Sequence, residues 1–526
     1  MRTVLFTILT LASGIAVGQT PRTDGPWFGV HLPPRFGAEP AVLVGSRAPR
    51  VVNMPKGEAR AAEFSGAAIR KDLETIVGFS KESRAVREIG SGQLWGRVSG
   101  FPSSAKTVDW AVRQFRDAGI ADVKSQPIRQ EANAAFWLPL SWEVRLLGDA
   151  AFGSGSADVV LESAMPLTPS EIKNNSLTAP LVYVGTANSS LVRHIDVRGK
   201  IAVQLSIPQG HMVFERSAVT SRAQDLMKRG AVAVLNLVRL PGNELSRDFS
   251  NCGGPCFNIG GRDGLFLETV LDRATQAGLH DKVSARLSLK TETRVGLQAQ
   301  NGVAVIAGNK SDEAIIVDAH VDAWFEGAGD NADGLAVMVA LARHFAKPAN
   351  KPRRTLVFVA SAGHHSPGIN GPRNFTSANP DLAKQAVLVL NIEHVAQRNF
   401  SPARSVSEDG YRQAVADTGE APIVVGVSNS APFLNDLVQQ GVVRYGANFV
   451  SEPSTMQSGE TGGFAAIGAA KITVMQAPPL YHTTGEALDV ISTPGLERIA
   501  RFLAFFLKEI DAAPLQKINP QQVDRK

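Results

Sequence analysis

The residues predict an α/β fold built on a mixed sheet, with a second, β-rich unit inserted into it. Three observations carry this. From about residue 294 short apolar strands alternate with helical segments, the pattern of a sheet layered with helices. Between residues 151 and 293 the texture changes to Gly- and Ser-rich turns and closely spaced strands, over a length suited to a domain of its own. His, Asp and Glu residues recur just past the ends of several predicted strands, where open α/β sheets carry their sites.

At 526 residues the chain is too long for one compact domain and suits two or three. Its 44% hydrophobic and 20% charged residues are ordinary for a globular protein. The net charge of +5 is small, the 54 basic residues are scattered among 49 acidic ones, and no basic block occurs, so nucleic acid is not an expected partner. The first residues read MRTVLFTILTLASGIAVGQT. One early Arg, an apolar run from Val4 to about Ala12 and a small-x-small triplet at Ala16-Val17-Gly18 predict a signal peptide over 1–18, too short to span a bilayer. No other segment is apolar for long enough to span one, so the mature chain is expected to be secreted or periplasmic, without stable membrane insertion. Cys252 and Cys256, in NCGGPC, predict one local disulfide in that compartment; a zinc ribbon would need a second pair.

Along the chain, residues 19 to about 60 are rich in Pro, Gly and Arg and are expected to wrap the surface. A helix is predicted near 67–77, then a turn-rich loop, GRVSGFPSS, at 96–104. Val108, Ala111, Val112 and Phe115 mark an amphipathic helix that Gly119 ends, before strand-like DVKSQPI. Residues 19–150 are thus an extension plus the first part of the main unit, and 151–293 form the inserted unit. In it APLVYVG, GKIAVQLSI and GAVAVLNLV read as strands around a helix near 218–229. The main part, 294–512, reads as the strands AIIVD, RTLVFVASA, AVLVLNIEHV and KITVMQA, closed by a helix from about 494 to 508. Residues 513–526 are expected to be a loose tail.

The stretch AHVDAWFEGAGDNADGLAVMVALARHF, 319–345, sets His320, Asp322 and Asp330 in a loop between the AIIVD strand and a helix. Asp333 is placed as that helix's N-cap, and Leu335, Val339, Ala342 and Phe345 repeat along it. Imidazole and carboxylate at the end of a strand suit a divalent metal. Further candidates end other strands: His364-His365 in SAGHHSPG, Glu393 in LNIEH and His482 in PLYHTTGE. Each taken singly reads more simply as a hydrogen-bonded polar group.

Found together in this order, they resemble the co-catalytic zinc exopeptidases of metallopeptidase family 28 (clan MH). That family includes secreted bacterial aminopeptidases and the glutamate carboxypeptidase II and transferrin-receptor branch. HVDAWFEGAGDN and PLYHTT are the most specific pieces, and the resemblance runs from about Ala67 to Lys508. APLVYVG, IDVRGKIAV, GAVAVL and PCFNIGG are similar to the protease-associated (PA) domain inserted in many of these enzymes, and GRVSGFPSS to their early loop. The resemblance implies a zinc-exopeptidase (phosphorylase/hydrolase-like) sheet, with one or two zinc ions as cofactor. It implies that Asp330 bridges the ions, that His320 and Glu393 complete one and that His482 serves the other. Glu393 stands where the family usually has Asp. Asp322 would orient His320 through its carboxylate, Tyr481 would donate to an oxyanion, and the Asp330–Asn331 peptide would be cis.

The family usually carries Glu-Glu after the RTLVFVASA strand, as general base and zinc ligand. Here that strand runs into His364-His365; counted from downstream, His365 and Ser366 take the two slots. Either way both carboxylates are replaced. One reading is that His365 ligates zinc as a neutral imidazole while His364 or His365 accepts the proton of the attacking water. The other is a weakly held second ion. Glu326 and Glu460, in motif loops, are the next candidates for the base. The resemblance implies an exported zinc-dependent exopeptidase with a peptide substrate, an aminopeptidase first. A catalytically weak peptidase-like binding protein and a glutamate-carboxypeptidase-like enzyme are the alternatives. The last would need a basic pocket, for which Arg373 and Arg398 are near in sequence. Side-chain preference and oligomeric state stay open.

Overall fold

The computed structural model describes residues 26–520 apart from 33–41, 45–54, 57, 59–60, 187–191, 208–211, 241, 248–251, 310–311, 404–413, 421–422, 428–430, 447–448, 454–458 and 477–479. The expected signal peptide, and most of the stretch expected to wrap the surface, lie outside the described residues. Among the described residues no helix is long and apolar enough to cross a membrane.

The fold is mixed α/β, as the strand-helix alternation predicts. The main sheet has eight strands, in the order Phe449–Pro453, Ile423–Val427, Ala470–Met475, Ala386–Glu393, Ala314–His320, Thr355–Ser361, Gln298–Ile306 and Asp122–Arg129. Its four central strands, Ala470–Met475 to Thr355–Ser361, run parallel, so their carboxyl ends share one edge. Ala314–His320 and Ala386–Glu393 are buried at every position, which is why they read as unbroken apolar runs. On one face Ile315, Val317 and Ala319 pack beneath the helix Asp333–Phe345. On the other, Ile316, Val357 and Val389 meet Phe375 and Phe464.

The helix Asp333–Phe345 is buried on more than its predicted stripe. It lies between the sheet and the helices Gly66–Val86 and Thr493–Ala512, so only His344 and Arg343 of its thirteen residues escape burial. Asp333 is its first residue and not its cap. Its carboxylate accepts the backbone N–H groups of Val395 and Ala396, at 2.9 and 2.8 Å, tying the helix to the segment after Glu393.

A second eight-stranded sheet runs Val159–Val160, Phe136–Leu146, Ser284–Arg294, Ser176–Gly185, Ile201–Ser206, Ala233–Val238, Cys256–Ile259 and Met165–Pro166. The helix Gly261–Gln276 packs Phe266, Leu267 and Val270 against one core, and the helix containing Ala223 and Leu226 joins another. The unit begins at Phe136 and not at 151, because Phe136–Leu146 pairs along its whole length with Ser284–Arg294. The Gly-rich change near 150 marks a turn inside the unit. Cys252 and Cys256 are disulfide-bonded, with Cα atoms 6.0 Å apart. A three-stranded sheet of Val42–Val44, Ala414–Glu420 and Arg398–Ala403 was not anticipated. The expected loose tail is partly wrong as well. Leu515–Ile518 is a helical turn beside the helix Pro432–Tyr445, with Ile518 and Asn519 buried; residues 521–526 lie outside the described residues.

Candidate metal centre

The shared edge of the main sheet gathers the predicted residues. His320 is the last residue of its strand and Glu393 the last of the neighbouring one. His364 and His365 follow Thr355–Ser361, and His482 follows Ala470–Met475 by a longer loop. His320, Asp330, Glu393 and His482 are buried; His364 and His365 are each partly open, although the His365 side chain is nearly covered. Two anchors hold the loop from His320 to Asp330. The buried Arg97 guanidinium donates to the carbonyls of Val321, Glu326 and Gly327, which gives the early GRVSGFPSS loop its purpose. Trp324 and Phe325 insert into the core of the second unit.

Asp330 is the hub, and the peptide bond after it is cis, as the resemblance implies. One carboxylate oxygen lies 2.7 Å from His482 Nε2 and 3.2 Å from His365 Nε2. The other lies 2.8 Å from His394 Nε2 and 3.1 Å from His320 Nε2. Burial works against the charge on Asp330, but His394, His365 and His482 outweigh it and hold the carboxyl well below the ordinary range. Glu393 behaves alike: burial raises it, His320 and His364 bring it down to about 2. Its Oε1 is 3.3 Å from His320 Nε2, and its Oε2 accepts from Asn391 at 2.9 Å. Gly459 passes so close that a side chain there would collide with Glu393 Oε2, and its φ of +59° suits glycine.

The His pair divides. His365 turns inward to Asp330 beside the His482 ring, with 4.7 Å between ring centroids. Burial lowers its pKa to about 4 despite Asp330, so at neutral pH it is the neutral imidazole that metals bind. His364 stacks on His320, centroids 4.2 Å apart, and its Nδ1 lies 2.7 Å from Glu460. Burial opposes its charge, but Glu460 prevails and raises it to about 9. A cavity of about 320 Å³ opens onto His364 and His365, with Glu131, Asn370 and Arg373 also lining it.

Some expected roles change. The carboxylate of Asp322 stays 3.7 Å from His320 Nδ1, and the Asp322 backbone carbonyl, at 3.0 Å, accepts from that nitrogen instead. The carboxylate accepts the backbone N–H groups of His364 and His365, fixing the turn that presents the pair. Glu326 faces Lys81 and the Leu488 N–H, and so is not part of the cluster. Arg373 pairs with Glu131 at 2.9 Å, both exposed. The Tyr481 ring stacks on His482, centroids 3.6 Å apart, and lies 5.1 Å from His394.

Two residues join that sequence reasoning did not place there. His394 follows Glu393 directly, and adjacent strand residues point to opposite faces. Its φ of +49° breaks the alternation, so both reach Asp330's surroundings. Glu460, named only as a fallback base, reaches His364 across 96 residues from the turn Gly459–Phe464. No local pattern announces either.

A metal fits these donors. His320 Nε2 is fully buried and makes no hydrogen bond although carboxylate oxygens lie 3.1 and 3.3 Å away. Such an orphaned nitrogen beside carboxylates suits a divalent ion. Among the described residues, three trios have ligand atoms within 4.8 Å of one another: His320 with Glu393 and His394, His320 with Asp330 and His365, and His364 with Glu393 and Glu460.

Imidazoles and carboxylates gathered at the carboxyl edge of a parallel run could hold a divalent metal ion. The chain carries a Peptidase family M28 domain: the model of that family matches residues 301–507. A stretch of 120 residues, 22% of the chain, is 37% identical to a probable glutamate carboxypeptidase of Arthroderma benhamiae. Another of 110 residues, 20% of the chain, is 29% identical to a protein of Schizosaccharomyces pombe named an inactive zinc metalloprotease. These stretches span only 16% and 14% of the relatives' own lengths. The fold is similar to that of a zinc aminopeptidase from Bacillus subtilis, with a TM-score of 0.56 at 16% identity over 87% of this chain and 99% of that one.

Proposed function

We propose that this protein is an exported zinc-dependent exopeptidase that removes N-terminal residues from peptides. The observation that carries the proposal is the buried Asp330 carboxylate, held among His320, His365, His394 and His482 at 2.7–3.2 Å, with His365 also lining a cavity. His320, Asp330 and Glu393 would hold one zinc ion, and Asp330, His365 and His482 a second. Bound there, zinc supplies Lewis acidity to the scissile carbonyl and to the attacking water.

The chain's own residues do the rest. Glu460 accepts from His364 Nδ1 and fixes the ring's tautomer, so in the neutral ring, populated as pH rises through its pKa of about 9, Nε2 is the nitrogen that takes the water's proton and later returns it to the leaving amine. His365 stays neutral and serves as ligand. Tyr481, braced by stacking on His482, donates a hydrogen bond from its hydroxyl to the oxyanion. A cavity of about 320 Å³ is at the small end for ligand sites, which favours a chain end over a long substrate. The fold's likeness to a zinc aminopeptidase favours amino-terminal action. Arg373, already paired with Glu131, speaks against the basic pocket a carboxypeptidase of acidic peptides needs. Export rests on residues 1–18 and is tested by sequencing the N-terminus of the secreted protein, expected at Gln19.

The rival is a metal-binding protein with little turnover, favoured by the replaced Glu-Glu and by the relative named inactive. Zinc content measured beside turnover of aminoacyl-coumarin substrates separates the two. Bound zinc with turnover supports the peptidase; bound zinc with none supports the rival.

A further inference from the structure

The second unit does more than cover the cleft. Its segment 242–247 pairs with the loop that carries His482. Ser246 and Thr483 form an antiparallel bridge, the Arg247 N–H donates to the His482 carbonyl at 2.9 Å, and the Thr484 N–H donates to the Leu245 carbonyl at 3.1 Å. The Leu245 N–H donates to Thr484 Oγ1 at 3.1 Å, and Thr484 Oγ1 donates to Glu244. From the other side the Ser246 carbonyl accepts from Asn258, on the strand Cys256–Ile259, so the segment is anchored in the second sheet.

Arg247 joins two ligand-bearing loops at once. Its backbone holds His482. Its guanidinium lies 4.7 Å from the Trp324 ring and 5.6 Å from the Trp137 ring, and donates to Thr168 Oγ1 at 2.7 Å. Trp324 belongs to the loop between His320 and Asp330, and its ring centroid is 5.8 Å from that of His365. Moving Arg247 therefore moves the His482 loop relative to Trp324, and Trp324 relative to His365.

Given the zinc reading above, on which this rests, we infer that Arg247 is a positioning residue: from the second unit it sets the separation of His482 and His365, the two imidazoles on one Asp330 oxygen. Partners of this kind typically set metal affinity by about 10–100-fold.

The test uses the full chain loaded with cobalt(II), whose visible absorption reports ligand geometry. Arg247→Met should weaken cobalt binding about 10–100-fold and shift the absorption bands, and Arg247→Lys, which keeps a cation over the two rings, should restore most of both. Tyr183→Phe removes a hydrogen bond to Glu268 elsewhere in the second unit and should change neither. If Arg247→Met does not fold, Arg247→Lys and Trp324→Leu carry the test, the latter expected to reproduce the weakened binding. A cobalt affinity and spectrum for Arg247→Met like those of the unaltered protein would overturn the inference. So would an equal loss in Tyr183→Phe, since the effect would then be general destabilisation. An unaltered protein that binds no cobalt overturns the zinc reading itself, a different result from either.

Discussion

Replacing Asp330 by Asn keeps the side chain's size and removes its charge. The wild-type carboxylate faces His482 and His365 on one oxygen and His394 and His320 on the other. In the variant one of those oxygens becomes an NH₂ that cannot ligate. Structural zinc sites with four ligands are worth about 10–16 kcal/mol, or about 2.5–4 kcal/mol per ligand. At 1.4 kcal/mol per tenfold, losing one ligand weakens binding about 10²–10³-fold. Asp330 is proposed to serve both ions, so the loss should strike both at once. Competition against a chelator of known affinity measures it, with elemental analysis of the dialysed protein and circular dichroism to show that the variant is folded. A folded Asp330→Asn protein that keeps its full zinc content, with affinity within about threefold of the unaltered chain, would refute the placement of the metal on this carboxylate.

His365→Ala should lose zinc with its activity, whereas His364→Ala should keep zinc and lose about 10²–10⁴-fold in turnover; equal behaviour of the two would contradict the division of roles. For Glu460→Gln the pH profile is informative. An imidazole base must be neutral, so activity falls as pH drops through its pKa. Glu460 raises that pKa against burial, so its removal should move the acid limb to lower pH, and a limb that stays put would remove Glu460 from the mechanism. Zinc at about 100 times its Kd should stabilise the fold by about 2.7 kcal/mol, read as a higher melting temperature that a chelator reverses; no shift would argue against binding to the folded state. Thiol titration of denatured, unreduced protein should find none free at Cys252 and Cys256, and two free thiols would rule out the bridge.

Strand existence was legible where burial on both faces leaves an unbroken apolar run, as in Ala314–His320 and Ala386–Glu393. Their exact ends were less so: His320, read as lying in the loop after AIIVD, is the last residue of that strand, and Glu393 ends a strand that the apolar run extended to Val395. Residues placed by distant contacts were not legible. Glu460 meets His364 only once the turn at 459–464 docks under the sheet edge, and His394 depends on a left-handed backbone that no alternation rule foresees. The unit boundary was misplaced for a related reason. A change in composition detects loops, whereas the pairing of Phe136–Leu146 with Ser284–Arg294 is a contact between segments some 150 residues apart. Asp322 had the right address and another task, because carbonyl and carboxylate of one residue compete for the same neighbours.

Trp324 and Phe325 carry a consequence for how this chain can be cut and recombined. Both belong to the main unit's ligand loop in sequence, yet their side chains lie in the other unit's apolar core. Separating the units would return two large aromatic groups to water, at a cost on the order of 5 kcal/mol, comparable to a small domain's whole stability. The two cores are therefore obligate companions. A fragment trimmed to residues 301–507 is expected to be poorly soluble, and a chimera that exchanges the second unit for a foreign one would need a matching aromatic socket before it could be assayed at all.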